Sequence, residues 1–147
     1  MELKEINNFT DIESLLPHRD PFLFVDEIVK SDEKEVIATK TFTEKEFFFK
    51  GHFPQYPVVP GVILVETMAQ AGGAGLSVQN VFEEGSLFFL ATVDKVKFRH
   101  QVRPGDTVRM EITNLRVSPK MIKQAGKAYV GENLAAEAEW MCLVGKN

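Results

Sequence analysis

A chain of 147 residues, 44% of them hydrophobic, is long enough for one domain with a substantial core and too short for two. Its formal net charge of −4 argues against a general nucleic-acid binder. A single cysteine, Cys142, excludes an intramolecular disulfide, and three scattered histidines show no metal-ligand spacing, so no metal or other cofactor is expected. The polar opening MELKEINN reads as no signal peptide, and no uninterrupted apolar run is long enough to cross a bilayer. The expectation is a soluble, cytoplasmic protein with neither nucleic acid nor membrane as partner.

Thr10, Asp11, Ile12 and Glu13 have capping-box spacing, which predicts a short helix through about Leu16. The segment Leu15-Leu16-Pro17-His18-Arg19-Asp20-Pro21 breaks it; a structural role for His18 and Arg19, pairing with Asp20 or Asp26, is expected. Residues 22–29 and 35–42 read as strands joined by the polar turn 31–34. Phe47-Phe48-Phe49 then leads into a tight turn at Gly51 and His52, followed by Pro54, Pro57 and Pro60. Pro60 suits the first position of a helix, where its missing N–H costs nothing. Residues 61–77 would span about 25 Å as a helix. That run is apolar almost all the way round, and such a helix belongs inside something.

Glu83-Glu84-Gly85 marks a loop, and the rest is strand signal. Over residues 87–98, Leu87, Phe89, Ala91 and Val93 share one face while Val96 and Phe98 take the other register, which predicts a β-bulge near Asp94. Val108, Met110 and Ile112 alternate cleanly, and Leu115 and Val117 follow out of phase. Residues 121–130 and 134–144 form a predicted hairpin closed by Gly131-Glu132-Asn133. The order is short helix, two strands, long helix, four strands. It fits an α+β domain in which an antiparallel sheet curls around one buried helix. Glycines at 72, 73 and 75, each costing a helix roughly 1 kcal/mol against alanine, suggest close backbone approach. One sheet of this size cannot enclose such a helix alone, so a homodimer is expected.

One residue interrupts the apolar helix. Glu66 has only Thr67 and Gln70 as polar company. A carboxylate there is expensive to ionise, and its pKa should rise towards the range useful for proton transfer, unless it reaches water at the helix surface.

Gly51-His52-Phe53-Pro54, then Pro57, then the run from Pro60 to Gln70 (PGVILVETMAQ) resemble the signature of the FabZ family of (3R)-hydroxyacyl-[acyl carrier protein] dehydratases. The segments LLPHR (15–19), PFLFVD (21–26) and DKVKFR (94–99) also resemble family segments, so the likeness covers nearly the whole chain. It implies the hot-dog fold, active sites at a dimer interface, and assembly in many members as hexamers. Thr67 is a departure, standing where the family often has alanine.

Dehydrating a β-hydroxyacyl thioester needs a base for the proton beside the carbonyl, an acid for the departing hydroxyl, and donors for the enolate-like oxygen. His52 is suited to be the base and Glu66 the acid. The free N–H of Gly61, at a helix N-terminus, is a natural place for the thioester oxygen. The resemblance implies the same three roles. Each position also has a plain structural reading: His52 capping a turn, Gly61 allowing close packing. Gln70, one turn after Glu66, either orients that carboxylate or satisfies a backbone group. Phe53, Pro60 and Phe89 complete the candidate substrate contacts; Phe88 and Phe89 would line an acyl tunnel or simply be core.

The implied partner, an acyl carrier protein, is acidic, so docking needs a local basic surface. Lys95, Lys97 and Arg99 alternate along one strand, with Arg103 just beyond, and are the docking candidates. The leading function is therefore dehydration in fatty-acid biosynthesis. Its alternatives are a dehydratase that also isomerises the 2-enoyl product to the 3-enoyl form, and a non-catalytic acyl-binding hot-dog protein. Isomerising dehydratases usually carry aspartate at the acid position, and an intact His52–Glu66 pair speaks against a mere binder.

Overall fold

The computed structural model describes residues 3–146, so Met1, Glu2 and Asn147, which include the head of the polar opening, lie outside the described residues. Seven strands form one antiparallel sheet in the order β1-β2-β3-β5-β6-β7-β4. They are β1 (Ile6–Phe9), β2 (Glu27–Ser31), β3 (Glu35–Thr41), β4 (Ser86–Phe98), β5 (Thr107–Ser118), β6 (Met121–Val130) and β7 (Asn133–Lys146). Among the described residues there is one α-helix, α1 (Gly61–Ser77), and it packs across strands β2 to β7. This is the hot-dog arrangement.

The alternation read in the second half holds. Val108, Met110 and Ile112 point inward and are buried, and the register slips between Asn114 and Arg116, where Leu115 and Val117 fall out of phase. The β6–β7 hairpin turns at Gly131, whose φ of +58° favours glycine. In β4 the register shifts between Asp94 and Lys97, at the expected bulge, and again between Leu90 and Thr92.

Small residues let the sheet approach α1. A Cβ on Gly72 would strike the Gln124 side chain, and one on Gly75 would strike Val36. Gln124 is itself fully buried, accepting the Trp140 indole N–H at 3.2 Å and donating to Asn114 Oδ1 at 2.9 Å. Met68, Trp140, Phe24, Ile28 and Ile122 fill the layer between helix and sheet.

Four expectations need correction. The capping box does not form: residues 10–16 hold one 3-10 turn (Ile12–Ser14), with Asp11 at its N-cap and no side-chain cap. Helix α1 begins at Gly61, and Pro60 is its N-cap with ψ of 138° rather than its first residue. Residues 22–26 are not strand; β2 starts at Glu27, because Gln70 takes the backbone groups that a neighbouring strand would have used. Strand β1 carries too few apolar residues to signal itself. It exists because β2 offers an open edge, and because the Gln79 side chain at the far end of the helix bonds Lys4 N–H and C=O.

Candidate active site

Gln70 is the polar centre of the helix, only 2% exposed, and it makes three directed hydrogen bonds. Its Oε1 accepts the Phe24 N–H at 2.8 Å, which fixes the amide orientation. Its Nε2 therefore faces Phe22 C=O at 3.0 Å and Glu66 Oε2 at 2.9 Å. Glu66 lies one turn earlier, where i and i+4 side chains meet. Both readings of Gln70 hold at once: it satisfies backbone and orients the carboxylate.

Glu66 keeps 22% of its side chain exposed and lines a narrow, open-mouthed cleft of about 20 Å³. Ala69 and Gly73 continue its helix face; Leu16, Phe88, Leu90 and Cys142 supply the other walls. Phe88 lines this space. Phe89 does not: it is 54% exposed and leans on Gly145, on the opposite side of β4. Alternation along a strand decides between two adjacent phenylalanines, and the register at Leu87 put the wrong one inward. Burial pushes the Cys142 thiol up to about 12, so it stands in the wall as a neutral apolar group.

His18 also lines this space, its Nε2 3.6 Å from Glu66 Oε2. The expected pairing of His18 and Arg19 with Asp20 or Asp26 is not formed. Arg19 instead donates to the carbonyls of Leu16, His18 and Glu13, while Asp26 accepts the Thr41 N–H and faces Lys40. Thr67 turns its hydroxyl back to Ile63 C=O at 2.6 Å, so the departure at that position is absorbed within the helix.

His52 sits on the loop before the helix. Its ring Nδ1 is 2.9 Å from Val58 C=O, an acceptor only, so Nδ1 is the donor and Nε2 is the ring nitrogen not engaged by this bond. Phe53 follows with φ of +59°, a conformation unusual outside glycine, and sets its ring, tilted by 42°, 4.3 Å from the imidazole. The loop is braced: Tyr56 N–H donates to Phe53 C=O at 2.7 Å, and Val59 N–H donates to Val102 C=O at 2.8 Å. Arg103, a docking candidate from sequence, is spent on the same bracing. Its Nε donates to Pro57 C=O at 2.9 Å, and its guanidinium lies 3.9 Å over the Tyr56 ring.

At the start of α1, Pro60 C=O takes the N–H groups of Ile63 and Leu64, leaving those of Gly61 and Val62 without an intrahelical acceptor. Gly61 is also glycine for packing: a Cβ would lie 2.8 Å from the Phe98 ring. Of the remaining docking candidates, Lys95 faces Glu139 at 3.2 Å and Arg99 bonds Glu137 at 2.9 Å. Lys95 and Lys97 do share one groove, on the face that also carries Glu137 and Glu139. Among the described residues lining the space beside Glu66, His52, Phe53, Pro60 and Gly61 are absent.

A FabA-like domain model matches residues 16–139. A Desulforamulus reducens 3-hydroxyacyl-[acyl-carrier-protein] dehydratase FabZ is 46% identical over 136 residues, covering 92% of this chain and 95% of that protein. The chain belongs to the FabZ family. The Koribacter versatilis FabZ dehydratase is 44% identical over 144 residues, covering 97% and 92%. Among solved structures, the dehydratase heterocomplex ApeI:P from Xenorhabdus doucetiae aligns with a TM-score of 0.80 at 15% identity, covering 95% and 93%. That likeness shows the hot-dog fold shared by this FabZ-family chain. Nothing local in the sequence marks His18 or Leu90 as neighbours of Glu66; only the fold brings residues 16–18 and β4 against the helix.

Proposed function

We propose that this FabZ-family chain dehydrates (3R)-hydroxyacyl-[acyl carrier protein] to the trans-2-enoyl form in fatty-acid biosynthesis, and that it works in the cytoplasm. The observation that carries the reading is the Glu66 carboxylate, clamped by Gln70 beside an otherwise largely apolar space, in a chain of this family. His52 Nε2 takes the proton from C2, and the electron pair moves through an enolate-like state whose oxygen is held by the Gly61 N–H at the helix N-terminus. Glu66, protonated, gives its proton to the C3 hydroxyl, which leaves as water as the C2–C3 double bond forms. The imidazolium and carboxylate left behind exchange the proton through solvent to reset the site. The acyl tail lies in the space walled by Leu16, Phe88, Leu90 and Cys142.

The site is completed by a second copy of the chain, whose His52 meets this chain's Glu66. That none of His52, Phe53 and Gly61 lines the space beside Glu66 supports this. So does the apolar surface beside them: Val62 on the first turn of α1 is 73% exposed, and Phe98, Val93 and Leu90 are exposed on β4, an open edge of the sheet. A hexamer of three such dimers is the further assembly proposed. The carrier docks on the β4 face around Lys95, Lys97 and Arg99, where the paired glutamates moderate the charge. Arg103 acts through the loop rather than the carrier.

Mass spectrometry of products from 3-hydroxyacyl carrier proteins of several lengths tests the reading. The expected product is lighter by one water, and its double-bond position reports any isomerisation. Unchanged substrate at every length would remove the proposal.

A further inference from the structure

The reaction as proposed needs a proton on one particular oxygen of Glu66, and the surroundings of the carboxyl are lopsided. Oε2 accepts from Gln70 Nε2 at 2.9 Å and also has His18 Nε2 3.6 Å away. Both neighbours lie on the same oxygen, and Oε1 is left to the open space.

The other ring nitrogen of His18 is unusual. Nδ1 is buried and has no hydrogen-bond partner among the described residues. A proton there would be an unsatisfied donor, whereas a proton on Nε2 faces a carboxylate oxygen. The tautomer that fits is neutral, with hydrogen on Nε2. Burial, the largest influence, holds the imidazole below its ordinary pKa, opposed by the Glu66 charge and assisted by Arg19. The other groups around it are Gln70 from the helix, Cys142 from β7, held neutral, and apolar Leu16, Phe88 and Leu90. A structural histidine is expected to satisfy both nitrogens; this one has one nitrogen unpaired and the other turned to the proposed acid.

We propose that His18 is a positioning residue for Glu66: with Gln70 it engages Oε2, so that the acid's proton resides on Oε1, the oxygen open to the substrate hydroxyl. The contact of 3.6 Å is long for a hydrogen bond, and such contacts tighten when substrate closes a site. Neutrality is part of the role, because an imidazolium would hold Glu66 ionised and unable to act as an acid. This inference rests on the proposed function, since it needs Glu66 to be the acid.

The test combines kinetics with a measurement on the unaltered protein. His18→Phe keeps the ring shape and loses nothing at unpaired Nδ1; it is expected to lower kcat about tenfold, with KM within about twofold, as for a modest loss of orientation. His18→Gln, whose amide N–H can stand where Nε2 stands, should recover most of kcat. Nitrogen-15 NMR of wild-type protein should show His18 neutral near pH 6.5 with its proton on Nε2. Folded His18→Phe with kcat within twofold, no recovery of kcat in His18→Gln, or a proton on Nδ1 would each overturn the inference. Wild-type protein that dehydrates nothing would instead sink the functional reading beneath it.

Discussion

Gly73 offers a measurable gauge of where the acyl tail lies. It follows Glu66 by seven residues, about 10.5 Å further along the helix, and lines the same space. A Cβ there would meet Phe88 Cδ1 at 3.7 Å and Leu16 Cδ2 at 3.8 Å, ordinary contacts that need no rearrangement. Gly73→Ala should therefore fold, with a helix gain of up to about 1 kcal/mol. The methyl fills part of the space instead of displacing backbone. Each acyl methylene kept out of it forfeits about 0.8 kcal/mol of burial, or roughly fourfold in kcat/KM. The assay compares kcat/KM across 3-hydroxyacyl carriers of increasing length, for wild type and Gly73→Ala at equal folded concentration. Short chains that stop before Gly73 should be within about twofold of wild type, and the longest should fall by about four- to sixteenfold for one or two excluded methylenes. An unchanged ratio of long-chain to short-chain activity would refute the placement of the tail along this helix face.

Gln70→Leu removes the partner of Phe24 N–H and Phe22 C=O as well as Glu66; a loss of about 2–4 kcal/mol in denaturant unfolding is expected, with activity lost in what remains folded. Reversing Lys95 and Lys97 to glutamate should raise KM for carrier-bound substrate and flatten its salt dependence while sparing small pantetheine thioesters; equal losses on both would mean damage to the fold. Because burial depresses the pKa of His18, the unfolded chain takes up a proton near pH 6.5 that the folded chain resists. Stability should therefore fall as pH drops through 6.5 towards the lower folded value, and His18→Phe should flatten the decline in Tm.

The hot-dog architecture was legible because its signals are periodic: alternation in β5 to β7, a continuous apolar run in α1, and glycines where Gln124 and Val36 crowd the helix. The β4 bulge was legible too, since a parity change has few other causes. What escaped depends on contacts distant in sequence. Residues 22–26 look like a strand locally, and only Gln70 shows why they are not one. Strand β1 has a borrowed edge rather than a pattern. His52, Glu66 and Gly61 stood out through residue type, but the space around Glu66 is built with His18, Leu16 and Leu90, which carry no mark of it. Phe88 and Phe89 differ by one position, and a single register slip exchanges them.

The central claim is that His52 of one chain and Glu66 of another act together, and subunit mixing tests it most directly. His52→Ala and Glu66→Gln chains should each fold and each lose at least about a hundredfold in dehydratase activity. Mixed dimers would carry both defects in one site and none in the other. With equal amounts and random exchange, half the dimers are mixed, so about a quarter of wild-type activity should return. Activity at background after verified exchange would contradict a shared site, and near-normal turnover by either variant alone would contradict the role given to that residue.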